Sequence, residues 1–164
     1  MKNLKFNTLV RLYENEVYSL ALYLLKNRSE AEDVAQEVYI RLWEGLGEIE
    51  LTRAKYWLLR VTRNTCLDRL RRRTVEHNYM QQTLCIDPSP GPMDTLLQEQ
   101  RSASVRAAIG SLDEPFRSLI VLRDIHQHSY RDIARILELG LDQVKVYLFR
   151  ARQKLKSRLH ESDL

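Results

Sequence analysis

Cysteine is nearly absent: Cys66 and Cys85 are the two in 164 residues. Two thiols make neither a disulfide framework nor the usual four-ligand zinc site, so both read as structural. Glycine (5) and proline (4) are also scarce, which argues against a turn-rich β fold or a collagen-like chain. Long apolar runs are missing. The longest apolar-rich stretch, Val17 to Leu25, contains Ser19 and is too short to span a bilayer. The first residues, MKNLKFNTLVRLYENE, carry no signal-peptide pattern. A cytoplasmic protein with no membrane insertion of its own is expected. What is present is 44% apolar and 29% charged residues, the balance of a folded soluble chain of one medium domain or two small ones.

The formal net charge is only +4, but it is unevenly placed. Residues 1–50 hold 6 basic and 9 acidic side chains, and residues 51–73 hold 8 basic and 1 acidic. Residues 74–100 have no Lys or Arg and four acids, and residues 101–164 hold 12 basic and 8 acidic. Two concentrated basic segments separated by an acidic one suit a polyanionic partner. For a single basic face, a merely solvated helix surface is the simpler reading.

Helical periodicity dominates and no repeat or strand alternation emerges, so an all-α fold is expected. A first helix is expected over about 6–25. A second starts at Ser29, read with Glu32 as a capping box, and runs to about Trp43. A third starts near Thr52 and continues into Arg71-Arg72-Arg73. Asp87-Pro88-Ser89-Pro90-Gly91-Pro92 breaks helix and reads as flexible linker. The expected organisation is a helical domain over 1–76, an acidic, Pro-rich linker over 77–93 and a second helical domain over 94–164. Within that second domain helices are expected over 94–109, after Asp113-Glu114-Pro115 to about His126, over 130–138 capped by Ser129, and from an Asp142 cap to about Leu159. Gly140 is the expected left-handed residue of the intervening turn.

A short capped helix, a three-residue turn and a longer basic helix form the helix-turn-helix pattern. At about 100° per residue, Val144, Leu148, Ala151 and Leu155 share an inward face. Lys145, Val146, Phe149, Arg150 and Gln153 share the outward one. Gln143 to Arg158 contains six basic residues, Lys154 among them, and no acid. Such a helix can enter a major groove with flanking cations on phosphates.

In the third helix Trp57, Arg60, Asn64, Asp68 and Arg71 share one sector. A ring, an amide, a carboxylate and two guanidiniums can stack on bases, bond base edges and hold phosphate. Asp68 is expected to accept from a base amino group or to hold Arg71. The competing assignment for Trp57 is core. The second helix buries Ala31, Val34, Ala35, Val38 and Leu42 and presents Asp33, Gln36, Glu37, Ile40 and Glu44. Ile40, set in an acidic face, suits docking of a basic partner.

The segment Glu30-Ala-Glu-Asp33-Val-Ala-Gln-Glu37-Val-Tyr-Ile-Arg-Leu-Trp43, with Trp57-Leu-Leu-Arg-Val-Thr-Arg-Asn64-Thr-Cys-Leu-Asp68-Arg-Leu-Arg-Arg-Arg73, resembles sigma region two. Ser129-Tyr-Arg-Asp-Ile-Ala134 and Val144-Lys-Val-Tyr-Leu-Phe-Arg-Ala-Arg152 resemble sigma region four. Together they are similar to a bacterial extracytoplasmic-function (ECF) sigma factor in its two-domain form. The resemblance implies a transcription initiation factor, not an enzyme, without cofactor. It would bind core RNA polymerase, promoter DNA as duplex and melted strand, and an anti-sigma factor. It places Asp33, Gln36 and Glu37 on the polymerase, Asn64 and Asp68 near the melted downstream element, and the 48–54 loop around a flipped base. Lys145, Val146, Phe149 and Arg150 fall on the upstream element. Many members carry Ser-Arg where this chain has Val146-Tyr147, so upstream base preference does not transfer. Two rivals stay open: a stand-alone helix-turn-helix regulator, and a metal-dependent nuclease built on Glu30, Asp33 and Glu37.

Overall fold

In a computed structural model, residues 1–77 and 96–162 are described; the expected 77–93 linker lies almost wholly outside them. The chain divides into two compact units, Met1–Cys85 and Ile86–Leu164. All regular structure among the described residues is helical.

The first unit is built from α1 (Lys2–Leu25), α2 (Arg28–Gly45) and α3 (Ala54–His77). α1 packs on both partners. It contributes Leu9, Val17, Leu20, Ala21 and Leu24 to the core, against Val34, Val38 and Leu42 of α2 and Leu58, Leu59 and Cys66 of α3. α3 also buries Thr62 and Thr65. Their hydroxyls donate to the carbonyls of Leu58 at 2.6 Å and Val61 at 2.7 Å, which removes the cost of leaving them unbonded inside.

The α1–α2 corner is two residues long. Lys26 turns left-handed (φ 57°) and its N–H bonds Leu22 O; Asn27, extended, caps α2 by accepting from the Glu30 N–H at 3.0 Å. The cap is therefore Asn27, not Ser29, which lies inside the first turn. Asn can supply the cap oxygen as well as Ser, and the one-residue left-handed stop of α1 leaves Asn27 at the junction. From α3, Arg73 donates to Leu25 O at 3.3 Å and pairs with Glu30. Burial holds its guanidinium below the ordinary range. This arginine of the basic run thus fastens the corner.

The segment after α2 is held from the other end of α1. Lys5 Nζ donates to Leu46 O at 3.1 Å and Ile49 O at 2.9 Å, beside an edge-on Phe6–Trp43 pair at 5.3 Å. Lys5→Met leaves both carbonyls without that charged donor. It is expected to cost about 1.5–3 kcal/mol in urea unfolding and to speed amide exchange across residues 46–50. Unchanged exchange there would mean that other contacts hold the turn.

The second unit contains α4 (Leu96–Gly110), α5 (Phe116–Ile120), a π-helical turn (Val121–Ile125), α6 (Tyr130–Leu137) and α7 (Leu141–Ser162). α4, α5 and α6 all pack on α7. The single helix expected after Pro115 is α5 widening into the π turn, where the His126 N–H bonds Val121 O at 2.9 Å. Ser118 through Leu122 are all buried, so this is the unit's central segment. Ile125, at the end of the π turn, is 40% exposed.

Ser129 caps α6 as expected, accepting from the Asp132 N–H at 3.1 Å. The left-handed residue of the turn is Glu138 (φ 56°), not Gly140. The start of α7 also differs from an Asp142 cap. Val144 N–H bonds Gly140 O at 3.1 Å, and the Gln143 side chain accepts from the Gly140 N–H at 2.9 Å. That is the reach-back half of a capping box, and Asp142 sits in the first turn, where its charge suits the helix dipole.

Candidate polymerase and nucleic-acid interfaces

α2 buries Ala31, Val34, Ala35, Val38 and Leu42, and this fixes its outward face. Asp33 and Gln36 are exposed, Glu37 is partly buried, and Ile40 is 59% exposed. Leaving a large aliphatic side chain in water forgoes its burial free energy, so Ile40 has surface to offer a partner. The acids around it are not merely solvated. Arg69 of α3 approaches Asp33 at 4.0 Å and Glu37 at 3.7 Å, and Arg41 pairs with Glu37 at 2.9 Å.

On α3, Asn64, Asp68 and Arg71 are exposed, while Trp57 and Arg60 are half-buried. The core assignment for Trp57 therefore holds for part of its surface. Asp68 pairs at 3.1 Å with Arg72, one turn on. It does not hold Arg71, because the i,i+4 spacing brings Arg72 above it on the helix surface. The structure gathers only part of the expected sector. Asn64 and Asp68 line a cleft of about 400 Å³ with Thr65, Arg69 and Arg72, and with Glu37 and Arg41 of α2. Trp57, Arg60 and Arg71 do not line it. Arg41, Arg69 and Arg72 were not singled out by sequence. Arg41 follows Glu37 by one turn on α2, whereas the only signal for Arg69 and Arg72 is the arginine run of α3, and nothing in one sequence says which of its members turns toward α2.

In the second unit Val144, Leu148 and Ala151 are buried and Leu155 is partly so. Lys145, Val146, Phe149, Arg150, Gln153 and Lys154 are exposed. Tyr147 turns back onto its own unit, edge-on to Phe116 with centroids 6.0 Å apart. Lys154 Nζ sits 4.5 Å over the same Phe116 ring. Arg152 forms a two-pronged bond with Asp124 of the π turn, at 2.7 Å and 3.2 Å. Those hydrogen bonds hold the Arg152 guanidinium above its ordinary range. They also tie the helix to the widened turn that precedes α6.

The nuclease reading meets an electrostatic objection. Glu30 faces Arg73, Asp33 faces Arg69, and Glu37 faces Arg69 and Arg41. Guanidiniums stand where a divalent cation would need to sit. Among the described residues no group of three or more His, Cys, Asp or Glu is placed to hold a metal ion.

The first unit presents an acidic, partly apolar helix face beside an arginine-rich helix, and the second an outward basic helix after a capped turn. These units match the family models for sigma-70 region 2 over residues 9–75 and sigma-70 region 4 over residues 102–155. The chain belongs to the ECF RNA polymerase sigma factor family. It is 30% identical over 166 residues to an ECF RNA polymerase sigma-E factor of Haemophilus influenzae, covering 94% of this chain and 87% of that one. It is 32% identical over 163 residues to ECF RNA polymerase sigma factor SigE of Mycolicibacterium smegmatis, covering 96% of this chain and 63% of that longer protein. In fold it is similar to the sigma factor RpoE of Bartonella quintana, solved in complex with the anti-sigma factor NepR. That match has a TM-score of 0.77 at 23% identity and covers 94% of this chain and 96% of the other. No described helix is long and apolar enough to cross a membrane.

Proposed function

We propose that this chain binds core RNA polymerase, directs it to specific promoters and assists strand opening. The observation that carries the reading is the pairing, in one chain, of an exposed Ile40 set between Glu37 and Glu44 on α2 with an acid-free outward face on α7. The first suits a basic protein surface and the second suits duplex DNA. Asp33, Gln36, Glu37 and Ile40 dock on the polymerase. Trp57, Arg60, Asn64, Asp68 and Arg71 meet the melted strand. Lys145, Val146, Phe149, Arg150 and Lys154 meet the upstream duplex. Residues 1–76 and 94–164 act as the two functional domains, joined through 77–93. The chain is a specificity subunit that works in the cytoplasm. RNA synthesis is the polymerase's chemistry, and an anti-sigma factor holds the chain in reserve. A stand-alone regulator would leave the α2 face and the cleft without a role.

The direct test is capture of core polymerase by the full chain, followed by transcription from a promoter library. Failure to bind core polymerase, with tight promoter binding by the chain alone, would favour the regulator.

Arg150 is exposed at the centre of the outward face. Arg150→Ala is expected to weaken specific duplex binding by ~1–3 kcal/mol and to relax choice at one base pair. Lys154→Ala is expected to weaken all sequences alike and lower the salt slope by about one ion. A lower salt slope with unchanged sequence choice for Arg150→Ala would make that residue a phosphate contact.

A further inference from the structure

Phe149 and Val146 are 64% and 47% exposed, the two most exposed large apolar side chains of the second unit among its described residues. They lie three positions apart on α7 and so share a face. Lys145, Arg150 and Gln153, all exposed, surround them. Packing does not explain the pair, because the inward side of this helix is filled by Val144, Leu148 and Ala151. Tyr147 is half-buried against Phe116, whereas Val146 stands exposed on the outward side.

An apolar ridge among cations fits one feature of a DNA groove. The edges of the base pairs offer donors and acceptors everywhere, and the single apolar group in the major groove is the C5 methyl of thymine. The flanking cations supply the attraction to phosphate that brings the ridge into the groove. A β-branched valine cannot hydrogen-bond a base edge, and it disfavours positions where a buried donor or acceptor would go unpaired. We propose that Val146 and Phe149 are specificity-determining residues that read thymine methyl groups at neighbouring positions of the upstream promoter element. The inference rests on the reading of α7 as the helix that meets duplex DNA.

The experiment uses the full chain assembled with core polymerase. Upstream elements are first selected from a randomised duplex library. Each selected thymine is then replaced by deoxyuridine, which removes the methyl and leaves pairing and the O4 acceptor intact. Binding is expected to fall about fourfold per contacted methyl, the effect of one buried carbon, at neighbouring positions only. Val146→Ser is expected to abolish the methyl effect at one of them and Phe149→Ala at another. Equal binding of thymine and deoxyuridine duplexes at every upstream position would overturn the proposal while leaving promoter selection in place. That comparison needs no variant, so it stands even if a substitution misfolds. A holoenzyme that does not form, or that selects no upstream sequence, would overturn both this inference and the functional reading beneath it.

Discussion

Reversal of both acids on α2, Asp33→Lys with Glu37→Lys, is expected to abolish core polymerase binding while leaving helix content unchanged. Truncating a central charged contact in a protein interface costs about 2–4 kcal/mol, and reversal adds repulsion. A loss of at least ~30-fold to 1,000-fold in affinity follows. The fold should tolerate the change, because exposed ion pairs of the Arg69–Asp33 kind contribute only about 0.2–1 kcal/mol. The pair does bring a second effect. New lysines would sit beside Arg69, itself 31% exposed, so circular dichroism and a neutral control, Asp33→Asn with Glu37→Gln, belong in the experiment. Arg69→Ala is informative in the opposite sense. It removes the internal cation that competes for both carboxylates, so core binding is expected to be equal or tighter. Normal core binding by the charge-reversed protein would sink the assignment of this face.

Asn64→Ala is expected to leave core binding and closed-promoter binding intact and to reduce strand opening. Asn64 is exposed and lines the α2–α3 cleft, so its removal should disturb little of the fold. Its amide can bond the edge of an unstacked base. A bidentate contact to a base edge is worth ~1–3 kcal/mol, which corresponds to roughly fivefold to 150-fold in the opening equilibrium. The readout is permanganate reactivity of thymines near the start site, followed on duplex and on pre-melted templates. Partial rescue by the pre-melted bubble is expected, since the cost of unpairing has then been met in advance. Unchanged opening on the duplex template would remove Asn64 from the melting surface.

The helical class and the faces of α2 and α7 were legible because each follows from the 3.6-residue period over a long helix. Val34, Val38 and Leu42 inward, with Ile40 outward, is such a case. Caps were less legible. Ser29 and Asn27 are two good cap residues two positions apart, and local chemistry ranks them nearly equal. The left-handed stop of α1 at Lys26 decided for Asn27. Glycine's freedom pointed to Gly140 for the turn before α7, yet Glu138 takes the left-handed conformation and Gly140 gives its N–H to Gln143. The cleft was not legible in full. Asn64 and Asp68 share a sector on any helical wheel, but Arg69 reaches across to Asp33 and Glu37 only because α1 holds α2 and α3 side by side. The π turn left no periodic signature, because five residues, of which only Val121 and Leu122 are buried, are too few to separate one helix period from another.

The Arg152–Asp124 bond bears on how many counterions DNA releases when the second unit binds it. Six cations lie between Gln143 and Arg158, and a count of formal charge would credit each with one displaced counterion. Arg152 already has its anion in Asp124, bonded at 2.7 Å. Held by that carboxylate, it is not free to neutralise a phosphate and so releases no counterion from the DNA. With Arg152 held by Asp124 and Arg150 on a base edge, about four of those six cations are left for phosphates, each worth about 0.9 in the log–log salt slope on duplex DNA. Replacing Asp124 by Asn would return Arg152 to the pool and steepen that slope, so a carboxylate of the π turn sets part of the unit's ionic stoichiometry.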